Sequence, residues 1–327
     1  MTKPARISYW TMLGILLLVG WLHLGTPLLA AMLSYFVLQK LQWSRHKWVA
    51  VFLFALLVIG TGYGLARFTR KAVVAVPTVA DKAIPSIIDY AEKHGVELPF
   101  TDWESLKVVA MDAARGKAQI LGGLANRASR ELVLLILGIV VAVSLFLNNK
   151  LDLDQGTHPI RNNLYSMAAE EIVTRFCLFF KSFTTVMGAQ ILISAINTTH
   201  TAIFVISAGL PHGAVMVGVT FLCGLVPVVG NLISNAIITA IAFTVSPRMA
   251  LVALGFLIVV HKLEYFLNSK IVGDRIRNPV WLTLLGLILG EKLMGIPGMI
   301  LAPVVLNYIK VEATKVEMKT EPAAESP

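Results

Sequence analysis

Three polar residues near position 260 have types and a spacing that could hold a proton or a cation. His261, Glu264 and Asn268 stand at i, i+3 and i+7, so a helix would place them on one face. They end an apolar run that predicts a membrane span, and ionisable groups near membrane depth usually pair or mark an ion pathway. We predict ion or proton coupling at Glu264 and Asn268. The alternative is a helix end in headgroup water, which we favour for His261.

A second group of residues interrupts the apolar sequence with glycine and proline, in "GLVPVVGNLI" (224–233) and "GEKLMGIPG" (290–298). Non-helical backbone at membrane depth persists only where it is buried in protein or faces water. A pair of such interrupted segments is a good sequence indication of a transport site. We predict a solute pathway formed by freed backbone groups and by Pro227, Gly230, Asn231, Asn235, Gly295, Pro297 and Gly298. A tight packing turn without solute contact is the alternative.

Gln190 is the remaining pathway candidate, and it lies in the apolar run 186–208 with Asn197, Thr198 and Thr199. Hydrogen bonding between helices is the simpler interpretation of this group. Elsewhere the chain lacks a G-x-x-x-x-G-K-[ST] loop, an H-E-x-x-H motif and a G-x-S-x-G motif, and its two cysteines form no C-x-x-C pair. We therefore predict a protein that is not an enzyme and that holds no cofactor or metal.

The composition indicates whether these residues lie in a soluble protein or in a membrane protein. The chain has 327 residues, of which 56% are hydrophobic and 14% charged, whereas soluble domains carry about 25% charged residues. The net charge of +9 comes from basic residues that flank apolar runs, so it does not form one basic face for nucleic acid. We predict a membrane protein whose first partner is the lipid bilayer.

The apolar runs predict an all-α polytopic bundle with about six full spans. Residues 1–65 hold the first three segments, beginning with a retained span rather than a cleaved signal peptide, and 132–309 form the transport core. Lys and Arg are concentrated at the N-terminus, in 40–47, 148–185 and 261–279, and in the tail. By the positive-inside rule, both termini are cytoplasmic.

The same rule predicts two broken helical hairpins, near 213–245 and 280–309. If 213–245 were a single span, the basic segment 261–279 would lie outside the cell. A turn at 227–230 removes the conflict, and its arms would reach only ~20–23 Å at 1.5 Å per residue, so we expect a re-entrant or tilted hairpin. A second hairpin at 280–309 returns the tail to the cytoplasm.

Two polar regions complete the predicted organisation. Residues 66–131 carry mixed charges and suggest a small extracytoplasmic helical domain, divided by Pro77, Pro85 and Pro99. "TDWE" at 101–104 fits a capping box that opens a helix there. The tail, 310–327, is polar and predicts a disordered cytoplasmic segment.

Two long stretches resemble the autoinducer-2 exporter family of bacterial membrane proteins: "GAQILISAINTTHTAIFVISAGLPHGAVMVGVTFLCGLVPVVGNLI" and "HKLEYFLNSKIVGDRIRNPVWLTLLGLILGEKLMGIPGMILAP". The ordered positions that carry the resemblance are Gly188, Gln190, Gly209, Pro211, Gly218, Pro227, Gly230, Glu264, Lys270, Ile271, Gly273, Pro279, Gly295, Gly298 and Pro303. The chain departs from many family members at two positions, since Asn231 and Ser269 stand where those members have proline. If these prolines shape the pathway, the solute selectivity of this chain differs.

The resemblance implies a multi-pass protein of the bacterial inner membrane that assembles as a homo-oligomer. Some members export a small polar signalling molecule and others exchange sodium for protons. We therefore expect a secondary transporter that exports a small polar solute, such as an autoinducer-2-like molecule. A sodium (cation)/proton antiporter is one alternative. A membrane scaffold or regulator without flux, docking partners through 66–131, is the other.

Overall fold

A computed structural model of the chain describes residues 2–43, 45–95, 105, 119–148, 163–227, 229–272 and 279–315, with the backbone alone at 76, 119–127, 265–272 and 280. These residues form ten helices and no strand, which confirms the all-α prediction. The helices are α1 Lys3–Trp21, α2 Gly25–Leu41, α3 Lys47–Lys93, α4 Gln119–Leu147, α5 Leu164–Ser207, α6 Gly213–Gly224, α7 Val229–Phe243, α8 Pro247–Val272, α9 Val280–Met294 and α10 Ile296–Ala313.

Several helices are apolar on faces that the protein does not cover. On α4, for example, Leu132, Val133, Ile136 and Val140 are all exposed, and a soluble monomer rarely exposes such a continuous apolar surface. Within the described residues, four helical segments are long and apolar enough to cross a membrane, or up to five if α1 and α2 form one broken span. The chain is therefore a polytopic helical membrane protein, and the count of about six spans stays a prediction.

Contrary to expectation, Pro77 and Pro85 do not divide the region after 66. Helix α3 runs without interruption through both prolines, although each proline removes a backbone hydrogen bond and crowds the preceding turn. Packing explains why the helix continues: Ala83, Ile84 and Ala91 are buried, and the Tyr90 ring meets the Phe243 ring edge-on at 6.2 Å. Tertiary contacts thus override local propensity here.

The predicted boundaries of the polar regions fall inside helices. Position 66 lies within α3 and position 131 within α4, while Pro99 and the "TDWE" capping box lie outside the described residues. At the other end, α10 continues to Ala313 and Glu312 is buried. The tail therefore begins later than the predicted position 310, because contacts of the Glu312 side chain hold the last helical turn.

The chain forms two compact units. The smaller unit comprises Met1–His23, Leu151–Met187 and Ile276–Pro327. In it, α9 and α10 pack as a helical hairpin whose backbones approach closely at Gly290 and Gly298, where a Cβ atom on either residue would overlap the carbonyl of the other.

The larger unit comprises Leu24–Lys150 and Gly188–Arg275. Its main core joins the end of α5 to α6, α7 and α8 through Met216, Ile238 and Leu257. The Phe204 ring on α5 also stacks on the Phe256 ring on α8, with centroids 4.2 Å apart. This core positions the break between α6 and α7.

Candidate functional site

The predicted break between α6 and α7 is present in the larger unit. Helix α6 ends at Gly224 and α7 begins at Val229, and Pro227 lies between them. Pro227 has no backbone N–H to continue the helical ladder. The helix in 213–245 is therefore interrupted at Pro227, the residue from which the break was predicted.

The last four carbonyls of α6 would lack partners at a helix end, but each accepts a hydrogen bond. Ser194 Oγ donates to the Phe221 carbonyl at 2.8 Å, and Gln190 Nε2 donates to the Gly224 carbonyl at 2.6 Å. The carbonyls of Leu222 and Cys223 accept from the backbone N–H groups that follow them, at 3.3 and 2.9 Å. The four carbonyls at this end of α6 are thus already bonded within the protein, and their contact with a solute stays a prediction.

These contacts give Gln190 a definite position. It projects from α5 and closes the end of α6, which matches the simpler interpretation of hydrogen bonding between helices. Its neighbours Thr198 and Thr199 donate to carbonyls of their own helix, at 2.7 and 2.8 Å. The close packing of the turn also explains the glycine at position 230, because a Cβ atom there would overlap the Cys223 carbonyl.

Asn231 and Glu264 meet immediately after the break. The amide Nδ2 of Asn231 donates to both carboxylate oxygens of Glu264, at 2.8 Å each. Glu264 is buried, with 9% of its surface exposed. Asn231 lies in the first turn of α7, where the positive end of the helix dipole favours an anion. The structure therefore joins two residues that the sequence assigned to different tasks.

The other predicted site residues on α7 and α8 are His261, Asn235 and Asn268. His261 Nδ1 lies 3.7 Å from Glu264 Oε2, and its side chain is 66% exposed. His261 does not stand at a helix end as expected, because α8 continues to Val272. Asn235 lies one turn beyond Asn231 and is half-buried, and its side chain makes no hydrogen bond to another described residue. Asn268 lies on α8, but its side chain is outside the described residues.

Gly295, Pro297 and Gly298 belong to the smaller unit. Gly295 has φ +65° and ψ −143°, a conformation that favours glycine, and it separates α9 from α10. Pro297 occupies the first turn of α10, where a missing N–H costs nothing. With Gly298 packed against Gly290, the three residues form a tight turn between two helices.

An open cleft of about 500 Å³ in the larger unit involves none of the predicted residues. It is lined by Arg70, Lys71, Val74, Ala75, Thr78, His212, Gly213, Ala214 and Val215. The described residues contain no group of three or more His, Cys, Asp or Glu side chains that could hold a metal ion.

Sequence reasoning missed a buried ionic cluster in the smaller unit. Arg175 Nη1 lies 2.9 Å from Glu312 Oε2, and the Tyr9 hydroxyl donates to the same oxygen at 2.9 Å. Arg175 was counted as an orientation charge, and Glu312 was placed in a disordered tail. The spacing of Tyr308 and Glu312, at i and i+4, was the available signal that α10 continues.

Long apolar helices and two helix pairs broken at glycine and proline define the class as a polytopic α-helical membrane protein. The profile described as "AI-2E family transporter" matches residues 7–316. The chain belongs to this family, which confirms the resemblance seen in the sequence.

The chain is also similar in sequence to a bacterial protein. It is 29% identical over 170 residues to "Putative transport protein YdbI" of Bacillus subtilis (strain 168). The match covers 50% of this chain and 49% of that protein, so the chain spans about half the length of the relative.

Proposed function

We propose that the protein is a secondary transporter of the bacterial inner membrane that exports a small polar solute and uses Glu264 to carry the coupling proton or cation. The observation that supports this is the pairing of a buried Glu264 carboxylate with a neutral amide at the α6–α7 break. The solute passes the amides of Asn231 and Asn235. The family match favours transport over a scaffold without flux.

The nature of its partner makes Glu264 suited to carrying an ion. Two glutamates are buried among the described residues. Glu312 is compensated by the Arg175 guanidinium at 2.9 Å, whereas among the described residues Glu264 is contacted by an amide and an exposed imidazole. A buried carboxylate without a full counter-charge is costly. Binding a proton or a cation removes that cost, so Glu264 can load and release an ion.

The proposed arrangement in the membrane follows from the charge pattern. Both termini are cytoplasmic, 66–131 is extracytoplasmic, and about six full spans accompany the two hairpins. Copies of the chain form a homo-oligomer, as the family resemblance implies.

Reconstituted vesicles test the proposal. A sodium gradient is applied to proteoliposomes that hold the purified protein and a labelled small polar solute, and internal pH is followed with a dye. We expect proton movement with the wild type, its loss in Glu264→Gln, and its retention in the control Glu291→Gln, since Glu291 is exposed at the α9–α10 turn. Unchanged coupling in Glu264→Gln would refute the role of Glu264.

A sodium (cation)/proton antiporter is the second candidate, and one observation favours it. The Glu264 carboxylate presents two oxygen atoms beside the α6–α7 break, paired with the Asn231 amide nitrogen rather than with a cationic side chain, and oxygen atoms are the ligands that hard cations prefer. An antiporter would exchange sodium for protons in vesicles that contain no other solute. An exporter would need the labelled polar solute before Glu264 gave up its proton.

A further inference from the structure

The open cleft of the larger unit, which we call the α3–α6 cleft, brings positive charge into a space of about 500 Å³. One face of α3 forms a wall, because Arg70, Val74 and Thr78 recur at i, i+4 and i+8. Lys71 belongs to the same wall, and the opposite wall is the start of α6, at 212–215. None of the described residues that line the cleft is an aspartate or a glutamate.

Contacts on both sides of the cleft fix its walls. The Phe68 ring of α3 lies against Gly218 of α6, where a Cβ atom would overlap the ring. Three turns further along α3, Val79 packs against the main core of the unit. The residues of α3 that line the cleft lie between these two contacts. The cleft is therefore set by the packing of the helices and does not depend on the position of one side chain.

The place of Arg70 and Lys71 along α3 corresponds to the depth of lipid headgroups. After Lys47, α3 carries no charged residue before Arg67. The uncharged residues 48–66 extend ~28 Å at 1.5 Å per residue, which matches a hydrocarbon core of ~30 Å. Arg70 and Lys71 follow about one helical turn later, so they lie where lipid phosphates are found.

The groups that line the cleft favour an oxyanion. The Arg70 guanidinium and the Lys71 ammonium can only donate hydrogen bonds, and no ion pair within the described residues involves either of them. Both charges are thus available to a bound anion. The cleft also contains the first turn of α6, where the positive end of the helix dipole adds to the same field. A cation would be repelled, and a neutral solute would leave both charges unused.

We propose that the α3–α6 cleft binds a phosphate group. Arg70 and Lys71 bond the phosphate oxygens from α3, as these two residue types commonly do, while the start of α6 faces the phosphate from the opposite wall. Lipid headgroups and phosphorylated solutes share this chemistry, and the headgroup depth of the two cations favours a lipid. The bound phosphate joins α3 to the start of the broken α6–α7 pair. The site contains none of the residues proposed for ion coupling, so it does not depend on Glu264.

Native mass spectrometry of the full-length protein in detergent tests the site with two probes, phosphatidylglycerol and inorganic phosphate. We expect saturable binding of one probe molecule to the cleft of each chain. Binding of phosphatidylglycerol that inorganic phosphate does not displace identifies a lipid headgroup. Binding of inorganic phosphate, alone or in competition with the lipid, identifies a free phosphate source. Saturable binding of neither probe overturns the proposal.

Variants test whether the phosphate binds in the cleft. Arg70→Gln with Lys71→Gln removes two charges at exposed positions, so the affinity should fall by about tenfold or more through the loss of charged hydrogen bonds. The matched control, Lys82→Gln with Lys93→Gln, removes two exposed charges of α3 that do not line the cleft, and it should retain the affinity of the wild type.

A third variant fills the cleft without changing its charge. Ala214 is exposed and lines the cleft, so Ala214→Trp should prevent binding by occupying the space. Wild-type affinity in Ala214→Trp would contradict a site in the cleft. Equal losses in the two double variants would show a diffuse attraction to α3 and would contradict it as well. Thermal unfolding checks that each variant keeps the Tm of the wild type, so that a loss of affinity reports on the cleft.

Discussion

The amide nitrogen of Asn231 lies 2.8 Å from each carboxylate oxygen of Glu264, although 33 residues separate the two positions. This contact ties the first turn of α7 to α8. In the proposed role, a proton or cation on Glu264 would compete with Asn231 for the carboxylate oxygens, and would therefore act on the segment that follows the break.

Replacing Asn231 with alanine should destabilise the larger unit. Glu264 would then stay buried without its amide donor, at a cost of about 1–3 kcal/mol in the free energy of unfolding. Asn235→Ala serves as the control, because Asn235 has no hydrogen bond to lose among the described residues. Unfolding in detergent would measure both, and equal stabilities would show that the Asn231–Glu264 contact contributes nothing.

Removing one partner of the Arg175–Glu312 pair should have a larger effect. Arg175→Met leaves a buried carboxylate without its counter-charge, and such losses are typically about 3–5 kcal/mol. The double variant Arg175→Met, Glu312→Leu should recover most of that loss, because no charge remains buried. Glu171→Gln should cost about 0–1 kcal/mol, as expected of a more exposed pair. Additive effects of the two substitutions in a double-mutant cycle would contradict the pairing.

Gly230→Ala should impair folding, because the added methyl group overlaps the Cys223 carbonyl and overpacking typically costs about 1–3 kcal/mol. Gly255→Ala on α8 is a close control, since nothing lies within 4 Å of the position of its Cβ atom. It should leave the Tm unchanged or raise it, because alanine favours a helix by about 1 kcal/mol. A stable Gly230→Ala protein would mean that the turn can open.

Gln190→Met should destabilise the break between α6 and α7. The methionine keeps the length of the side chain but leaves the Gly224 carbonyl without a donor, at a cost of about 1–3 kcal/mol. Thr199→Ala is the comparison, because the Thr199 hydroxyl bonds only a carbonyl of its own helix. If Gln190→Met changed transport but not the Tm, Gln190 would belong to the pathway instead.

Local signals predicted the breaks well. Pro227 and Gly230 lie at the first interruption and Gly295, Pro297 and Gly298 at the second, because glycine and proline act on the backbone within a turn of their own position. The same rule failed at Pro77 and Pro85, where the contacts of Ala83 and Ile84 keep α3 helical.

Pairings between distant residues could not be predicted in this way. Spacing identified Glu264 as a candidate, but its partner Asn231 is brought to it by the packing of α7 against α8. Arg175 and Glu312 are 137 residues apart, and neither stands in a motif. Such contacts are properties of the assembled helices, so they require the fold.

The closed end of α6 also bears on how the protein enters the bilayer. An unpaired carbonyl in hydrocarbon costs several kcal/mol, so an α6 end placed within the bilayer would need donors from the protein. Ser194 and Gln190 supply them from α5, which precedes the hairpin along the chain. During synthesis, Ser194 and Gln190 are therefore made before the carbonyls to which they donate.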